Sequence, residues 1–281
     1  MTHVVVIGDA LIDELRDESG SVDAPGGSAL NVAVGLSILG VPAQLVAMYS
    51  DDADGRFLSA HLARFGVAEF ASVAPLGTGR AISDRSDGEP RYSFSDAAKA
   101  RQITFTPEMR AAIASAQLVA ISGFPFDDQA QVDQLAEAVD GATVLLDPNP
   151  RLGFLRDREL FAANLERFST RLIKLGEEDA RLLYDAPLEQ VVARFTPHTT
   201  VLATAGPDGA SVHDHGTVVS RPIATARGPV IDTLGAGDAT FASVIASLAA
   251  GETDWGVMLD RAMQIAAATV RTPGGVLQTP R

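Results

Sequence analysis

Gly235-Ala236-Gly237-Asp238 sets a carboxylate directly behind three residues small enough for a backbone to approach an anion closely. The apolar run 241–250 that follows has helical spacing, so the small residues fall at a helix N-terminus. Unpaired first-turn N–H groups and the positive end of the helix dipole favour a phosphate there. A carboxylate in the same turn repels that phosphate unless it has other work. The work that fits is accepting the proton of a hydroxyl that attacks a phosphoryl group, in a reaction otherwise governed by positioning and charge. Two further readings stay open on these residues alone. Asp238 could complement the helix dipole. The glycines could belong to a dinucleotide fingerprint, although Thr240 stands where the third glycine is needed and the motif lies far from the first strand.

The elements that must position this stretch read as an alternation of strands and helices. Residues 4–7 form a continuous apolar run of strand length that ends at Gly8-Asp9, with Asp13 shortly after. Residues 13–23 are polar and glycine-containing, which predicts a projecting turn or hairpin. Pro25-Gly26-Gly27-Ser28-Ala29-Leu30-Asn31 opens an apolar helix over 30–39, closed by Gly40 and Pro42. Two glycines let a ligand lie against the backbone, and Asn31 offers a donor and an acceptor; equally, Ser28 could cap the helix and Asn31 be a surface residue. A strand over 44–48 and a helix over 55–65 follow. Between 77 and 96 the runs 80–86 and 91–95 alternate around Asp87-Gly88, a hairpin signal, and with the first turn they predict a small sheet serving as a lid.

The alternation then resumes with a helix over 107–115, a strand over 118–122, a helix over 128–139 and a strand over 143–147, which implies a parallel sheet covered on both faces. Asp147-Pro148-Asn149-Pro150-Arg151 brings a carboxylate, an amide and a guanidinium to the edge of that sheet where ligands bind. After a strand over 171–175, Gly176-Glu177-Glu178-Asp179 starts a helix. Its acids could complement the dipole, or one could orient water around Mg2+. A strand over 200–204 ends in Ala205-Gly206-Pro207-Asp208-Gly209, a turn suited to a flat base or a phosphate, and a helix over 254–270 leads to Thr272-Pro273-Gly274-Gly275.

Composition narrows the function classes. With 281 residues, 46% of them hydrophobic, the chain can bury a sizeable core as one large domain or as one domain plus a small appendage. A formal charge of −14 argues against nucleic acid or an anionic membrane as partner. Lys99 and Lys174 are the only lysines, and the absence of cysteine removes disulfides and thiol chemistry. Among the histidines, His213 and His215 alternate along a strand as an exposed edge pair rather than as metal ligands. The beginning of the sequence carries no leader pattern and no apolar run is long enough to span a bilayer, so a cytoplasmic protein is expected.

Several of these segments together resemble the ribokinase-like (PfkB) carbohydrate kinases: residues 26–31 look like the family's N-terminal signature and 232–238 like its C-terminal one. The resemblance implies a three-layer α/β/α fold with a mostly parallel central sheet and a β-sheet lid, a single domain over 1–281 with lid segments at about 13–24 and 77–96. It implies Asp238 as catalytic base and the amides of Gly235, Ala236 and Gly237 as anion hole. Asp13, Gly26, Gly27 and Asn31 would hold the sugar, and Thr204, Gly206 and Gly209, with Gly235, the nucleotide. Asp179 would act toward the Mg2+ of ATP through water, and Asp232 would help bind a monovalent cation such as K+. ATP and a small sugar are the implied partners, with a homodimer through the lid as an assembly the fold allows. The chain departs from the family where many members have Asn-x-x-Glu: it has Gly176 and Asp179. Ser28 stands where members acting on ribose or sugar phosphates carry a lysine. The opening 8–13 and the segment 147–151 resemble fructokinases and 2-keto-3-deoxygluconate kinases, which makes a fructose-like ketose the favoured acceptor and a sugar acid, paired with Arg151, the alternative. A catalytically silent sensor on the same fold is the reading outside enzymes.

Overall fold

The computed structural model describes residues 3–17, 20–84 and 91–280. In chain order the elements begin with β1 (Val4–Gly8), β2 (Leu11–Asp17), β3 (Gly20–Gly26), α1 (Ser28–Ile38), β4 (Ala43–Met48), α2 (Ala53–Arg64), β5 (Ala68–Ser72), β6 (Arg80–Asp84), β7 (Arg91–Phe94) and α3 (Asp96–Lys99). They continue with α4 (Pro107–Ala114), β8 (Leu118–Ser122), α5 (Gln129–Ala138), β9 (Val144–Asp147), α6 (Arg158–Arg167), β10 (Leu172–Gly176), α7 (Glu177–Tyr184), α8 (Leu188–Phe195) and β11 (Thr200–Thr204). The hairpin β12 (Ala210–Asp214) and β13 (Thr217–Arg221) and the helices α9 (Ala236–Ala249) and α10 (Trp255–Thr269) complete the order.

Nine strands form one sheet in the order β13-β12-β11-β10-β9-β8-β1-β4-β5. From β5 to β11 the pairings are parallel, and only the terminal hairpin β12-β13 runs antiparallel to its neighbours. The period of two along β1 shows why such strands read as unbroken apolar runs: Val4 and Val6 enter one core with α1, α2, α9 and α10, while Val5 and Ile7 enter the other with α4 to α8. This is the expected three-layer α/β/α arrangement.

The two glycine-led segments converge because their helices pack side by side. α1 and α9 approach so closely that a Cβ built on Gly35 would lie 3.1 Å from the Cβ of Ala242. Phe241 is fully buried, which contributes roughly 2–3 kcal/mol and fixes α9 against the sheet. Both helix N-termini therefore open at the C-terminal ends of β1, β8 and β9, the ligand edge of a parallel sheet.

A second sheet, in the order β3-β2-β6-β7, stands apart from the first. It contains both expected lid segments, although β2 begins at Leu11 rather than at Asp13. The Asp87-Gly88 turn lies outside the described residues. Arg80 ties this sheet to α2: Nε and Nη2 each reach an Asp54 carboxylate oxygen at 2.6 Å, while Nη1 and Nη2 also bond Asp23 and Glu14. Phe94 of β7 stacks on Phe154 with ring centroids 4.1 Å apart, closing a small apolar cluster with Leu11 and Ala98.

Candidate active site

Asp238 sits in the first turn of α9, 8% exposed. Gly235 precedes it at φ 76, a left-handed position where an added Cβ would come within 2.3 Å of the Gly275 carbonyl oxygen. Two groups from the first turn of α1 donate to the aspartate: Ser28 Oγ to Oδ1 at 2.6 Å and Asn31 Nδ2 to Oδ2 at 2.8 Å. The expectation that Ser28 caps α1 is corrected here. The N-cap is Gly27, without a side-chain bond, and the Ser28 hydroxyl shares its contacts between Asp238 and Ser122 of β8. Nor is Asn31 a surface residue, since it is 6% exposed and turned inward. Burial raises the Asp238 carboxyl above its ordinary value, and the bonds from Ser28 and Asn31 hold it down in part. A carboxylate shifted that way is a better proton acceptor than one in water.

Beneath the glycine turn lies a cation that sequence reasoning did not place. Lys174 of β10 is buried, its Nζ 3.0 Å from Oδ2 of the fully buried Asp147. A Cβ built on Gly237 would lie 3.4 Å from that same Nζ. Burial alone would lower the lysine, but Asp147 and Asp179 overcome it and keep Lys174 above its ordinary range. The Asp147–Lys174 contact is an ion pair, and no other donor reaches either Asp147 carboxylate oxygen among the described residues. One sequence signal was available: a lone lysine inside the apolar run Leu172-Ile173-Lys174-Leu175.

Asp179 is also buried. Its Oδ2 turns back to accept the Gly176 N–H at 2.6 Å, and burial pushes its carboxyl up to about 6 against the pull of Lys174. A Cβ built on Gly176 would lie 3.3 Å from Thr204 Oγ1 and 3.4 Å from Asp179 Oδ2, so the glycine lets the end of β10 pass close to both. Thr204 ends that strand half-buried, and Gly206 and Gly209 bracket the short 3-10 turn Gly206–Asp208 at φ 51 and 97. Asp232 ties two loops together, accepting the Leu234 N–H at 3.0 Å and the Gly274 N–H at 3.1 Å. Among the described residues no group of three or more His, Asp or Glu side chains gathers as a metal cluster.

Asp13 stands on β2 against Gly26, where a Cβ would fall 2.1 Å from its Oδ2. Burial, with Asp9 and Asp238 nearby, pushes its carboxyl up to about 7. Asp9 follows β1; its Oδ1 accepts the Ala29 N–H at 3.1 Å, and burial pushes it up to about 6. Gly27 packs on the Asp9 carbonyl. Asp13, Gly26, Gly27, Asn31 and Asp238 are thus brought together, Asp13 against Gly26, Asn31 on Asp238, and the two aspartates near enough to act on one another. Arg151 stays on its rim: the guanidinium is exposed and 3.5 Å from Glu178, while Lys174 takes the Asp147 contact open to it in the sequence. His213 is half-buried and shares a 3.0 Å hydrogen bond with Ser211, and His215 occupies the turn at φ 44, so they are not an exposed pair.

Comparison with known proteins places this cleft in context. The description "pfkB family carbohydrate kinase" matches residues 1–281. A fructokinase of Klebsiella pneumoniae is 30% identical over 264 residues, covering 87% of this chain and 84% of that protein. A fructokinase of Rhizobium leguminosarum bv. trifolii is 28% identical over 260 residues, covering 87% and 79%. Among solved structures, fructokinase with bound ATP from Xylella fastidiosa superposes with a TM-score of 0.82 at 23% identity, covering 98% and 94%. Arabidopsis thaliana ribokinase complexed with ribose and ATP gives 0.81 at 23% identity with the same coverage. No helix among the described residues is long and apolar enough to cross a membrane.

Proposed function

This chain belongs to the pfkB family of carbohydrate kinases, and we propose that it transfers the γ-phosphoryl of ATP to a hydroxyl of a small neutral ketose, fructose being the leading acceptor. The observation that carries this reading is the convergence on Asp238 of two donors from α1, at the N-terminus of α9 and above a buried lysine.

In this reading the acceptor hydroxyl lies between Asp13 and Asp238. Asp238 takes its proton as the oxygen bonds to the γ-phosphorus, and the bond from that phosphorus to the β–γ bridging oxygen breaks, releasing ADP. Charge that builds on the transferred group meets the N–H of Gly237 and the cation of Lys174, groups already oriented before the reaction, whereas the Ala236 N–H is taken by the Thr233 carbonyl at 3.4 Å. Thr204, Gly206 and Gly209 flank the base of the nucleotide. The Mg2+ that accompanies ATP supplies neutralisation of phosphate charge, and the residues suit an ion that keeps most of its waters: Asp179 has one oxygen fixed by Gly176 and Glu178 stands exposed one residue before it. Asp232 and the Gly274 turn are where a monovalent cation such as K+ would be held.

A neutral acceptor is favoured over a sugar phosphate because Ser28 is committed to Asp238 and adds no cation beside the paired glycines. The fructokinase relatives favour the ketose. A place in the cytoplasm, where ATP is supplied, goes with this reading. So does a homodimer through the small sheet, whose outer strands β3 and β7 leave open edges and whose Val22 is 66% exposed.

The test is ADP release over a panel of fructose, ribose, fructose 6-phosphate, 2-keto-3-deoxygluconate and adenosine, with the parent chain and with Asp238→Asn. Fructose should be the best acceptor, and Asp238→Asn should lower kcat by roughly a hundredfold or more while ATP still binds. Undiminished turnover by the variant would remove Asp238 as base.

A further inference from the structure

Next to the paired glycines, where Gly27 packs on Asp9 and Ala10, lies a recess lined in part by Asp9, Ala10, Gly79, Ala98, Arg101 and Gly123. Leu11, Met48, Ile103 and Phe124 make the rest of its wall largely apolar, and Asp9 and Arg101 are its charged side chains. Arg101 is fixed from two sides: Nη1 donates to the Gly123 carbonyl at 2.8 Å, and the guanidinium lies over the Phe154 ring, 4.4 Å from its centroid. Phe154 is itself stacked by Phe94 of the small sheet. The Arg101 Nε is buried and has no hydrogen-bond partner among the described residues. Asp9 faces the same space across Gly123, whose left-handed backbone brings it so near that a Cβ there would lie 2.5 Å from Asp9 Oδ1.

An unpaired donor beside a carboxylate matches a group that both accepts and donates, and a sugar hydroxyl does both. Building on the sugar-kinase reading above, we propose that Arg101 and Asp9 clamp one hydroxyl of a neutral polyhydroxy acceptor, at the end away from Asp238: Arg101 donates to the hydroxyl oxygen and Asp9 accepts its hydrogen. The charge around the cleft selects neutral over anionic acceptors. Asp9, Asp13 and Asp238 feel one another's charge, Arg151 acts from the rim on Asp9 and Asp13 in the opposite sense, and Arg101 lies close enough to Asp9 and Asp127 to be partly offset by both. A substrate carboxylate entering the recess would meet Asp9 as a like charge. Arg101, not the rim residue Arg151, is therefore the guanidinium that reads the acceptor.

The experiment measures binding by calorimetry for fructose, 1-deoxyfructose and 6-deoxyfructose, in the presence of a non-hydrolysable ATP analogue, for the parent chain and for Arg101→Met, which keeps an apolar stem over Phe154. The parent should bind one deoxy sugar roughly 10- to 100-fold more weakly than fructose, the loss expected for a charge-assisted hydrogen bond. In Arg101→Met that difference should shrink to about threefold or less, because the residue and the hydroxyl it reads are lost together. Equal weakening of all three sugars would make Arg101 a structural residue and overturn the clamp. So would a full difference retained in the variant. Arg101→Gln serves the same comparison if the methionine variant does not fold. A parent chain that phosphorylates no neutral ketose removes the sugar reading and the clamp together; one that does, with Arg101→Met discriminating like it, removes the clamp alone.

Discussion

Replacing Lys174 with methionine keeps most of the side-chain volume and deletes the cation 3.0 Å from Asp147. At that distance the gross attraction is about 5–6 kcal/mol for an effective dielectric near 20, and desolvation of both ions offsets much of it. The variant does not simply lose the difference, because Asp147 stays fully buried with no hydrogen-bonding donor. Breaking a buried pair from one side costs about 3–5 kcal/mol, a large part of a typical folding free energy of about 5–15 kcal/mol. The loss should depend on pH with a definite sign. Without Lys174, burial holds the nearby carboxyls of the folded state above their unfolded values, so folded chains bind more protons than unfolded ones. Stability of the variant should then be greatest at low pH and fall as pH rises. Urea unfolding of the variant should show a deficit of about 3–5 kcal/mol at pH 8 and a smaller one at pH 5, with the m-value unchanged. Lys174→Met combined with Asp147→Asn, which leaves no uncompensated charge at that pair, should recover most of the stability but not the turnover. A single variant within about 0.5 kcal/mol of the parent at pH 8, or a double variant no better than the single one, would refute the pairing argument.

Further outcomes follow from the site and from the small sheet. Asp13 is pushed up to about 7 and Asp9 to about 6, both above their unfolded values, so unliganded stability should fall as pH rises from about 4 through 7. Sugar hydroxyls that donate to Asp13 favour its ionised form, so fructose binding at pH 6.5 should release protons, seen as buffer-dependent binding enthalpy; proton uptake would contradict the assignment. Gly235→Ala places a Cβ at φ 76 and 2.3 Å from a backbone oxygen, so Tm and kcat should both drop, whereas Gly237→Ala meets only the flexible end of Lys174 at 3.4 Å and should lower kcat with Tm nearly kept. Arg80→Met cuts the small sheet loose from α2; amide exchange across 11–16 and 80–84 should speed up, while global stability falls by less than about 2 kcal/mol.

The parts of this protein that a reader of the sequence can see are those whose physics is local. β1, β8 and β9 are buried on both faces, so they read as unbroken apolar runs. α9 starts where small residues precede an apolar stretch. β5 was not anticipated, because an edge strand exposing Ala68, Glu69 and Ala71 has no apolar run or alternation to announce it. α6 passed unseen for a related reason: Phe161 and Leu165 are its only buried apolar residues in a charged segment. The small sheet was visible as hairpins, but its start at Leu11 was hidden because Leu11 and Ile12 look like a continuation of the first strand's apolar pattern.

Within the cleft the same division holds. Asp238 and Asn31 announce themselves through glycines that leave room for an anion, whereas the role of Ser28 does not, since a serine opening a helix is locally a cap. What turns it away is Asp238, 210 residues along the chain, brought near by the close passage of Gly35 and Ala242. Arginines pose the sharper case. Arg151 follows a buried strand beside Asp147 and so looks like the ligand-edge cation, while Arg101 lies in an unremarkable polar segment after the small sheet. The buried Lys174 takes Asp147, which leaves Arg151 to Glu178 at the rim, and the separate loops that carry Gly123, after β8, and Phe154, after β9, give Arg101 a backbone acceptor and an aromatic face. Which cation each buried carboxylate captures is thus settled by strand order: β9 lies beside β10, so Lys174 reaches Asp147 before any loop arginine can.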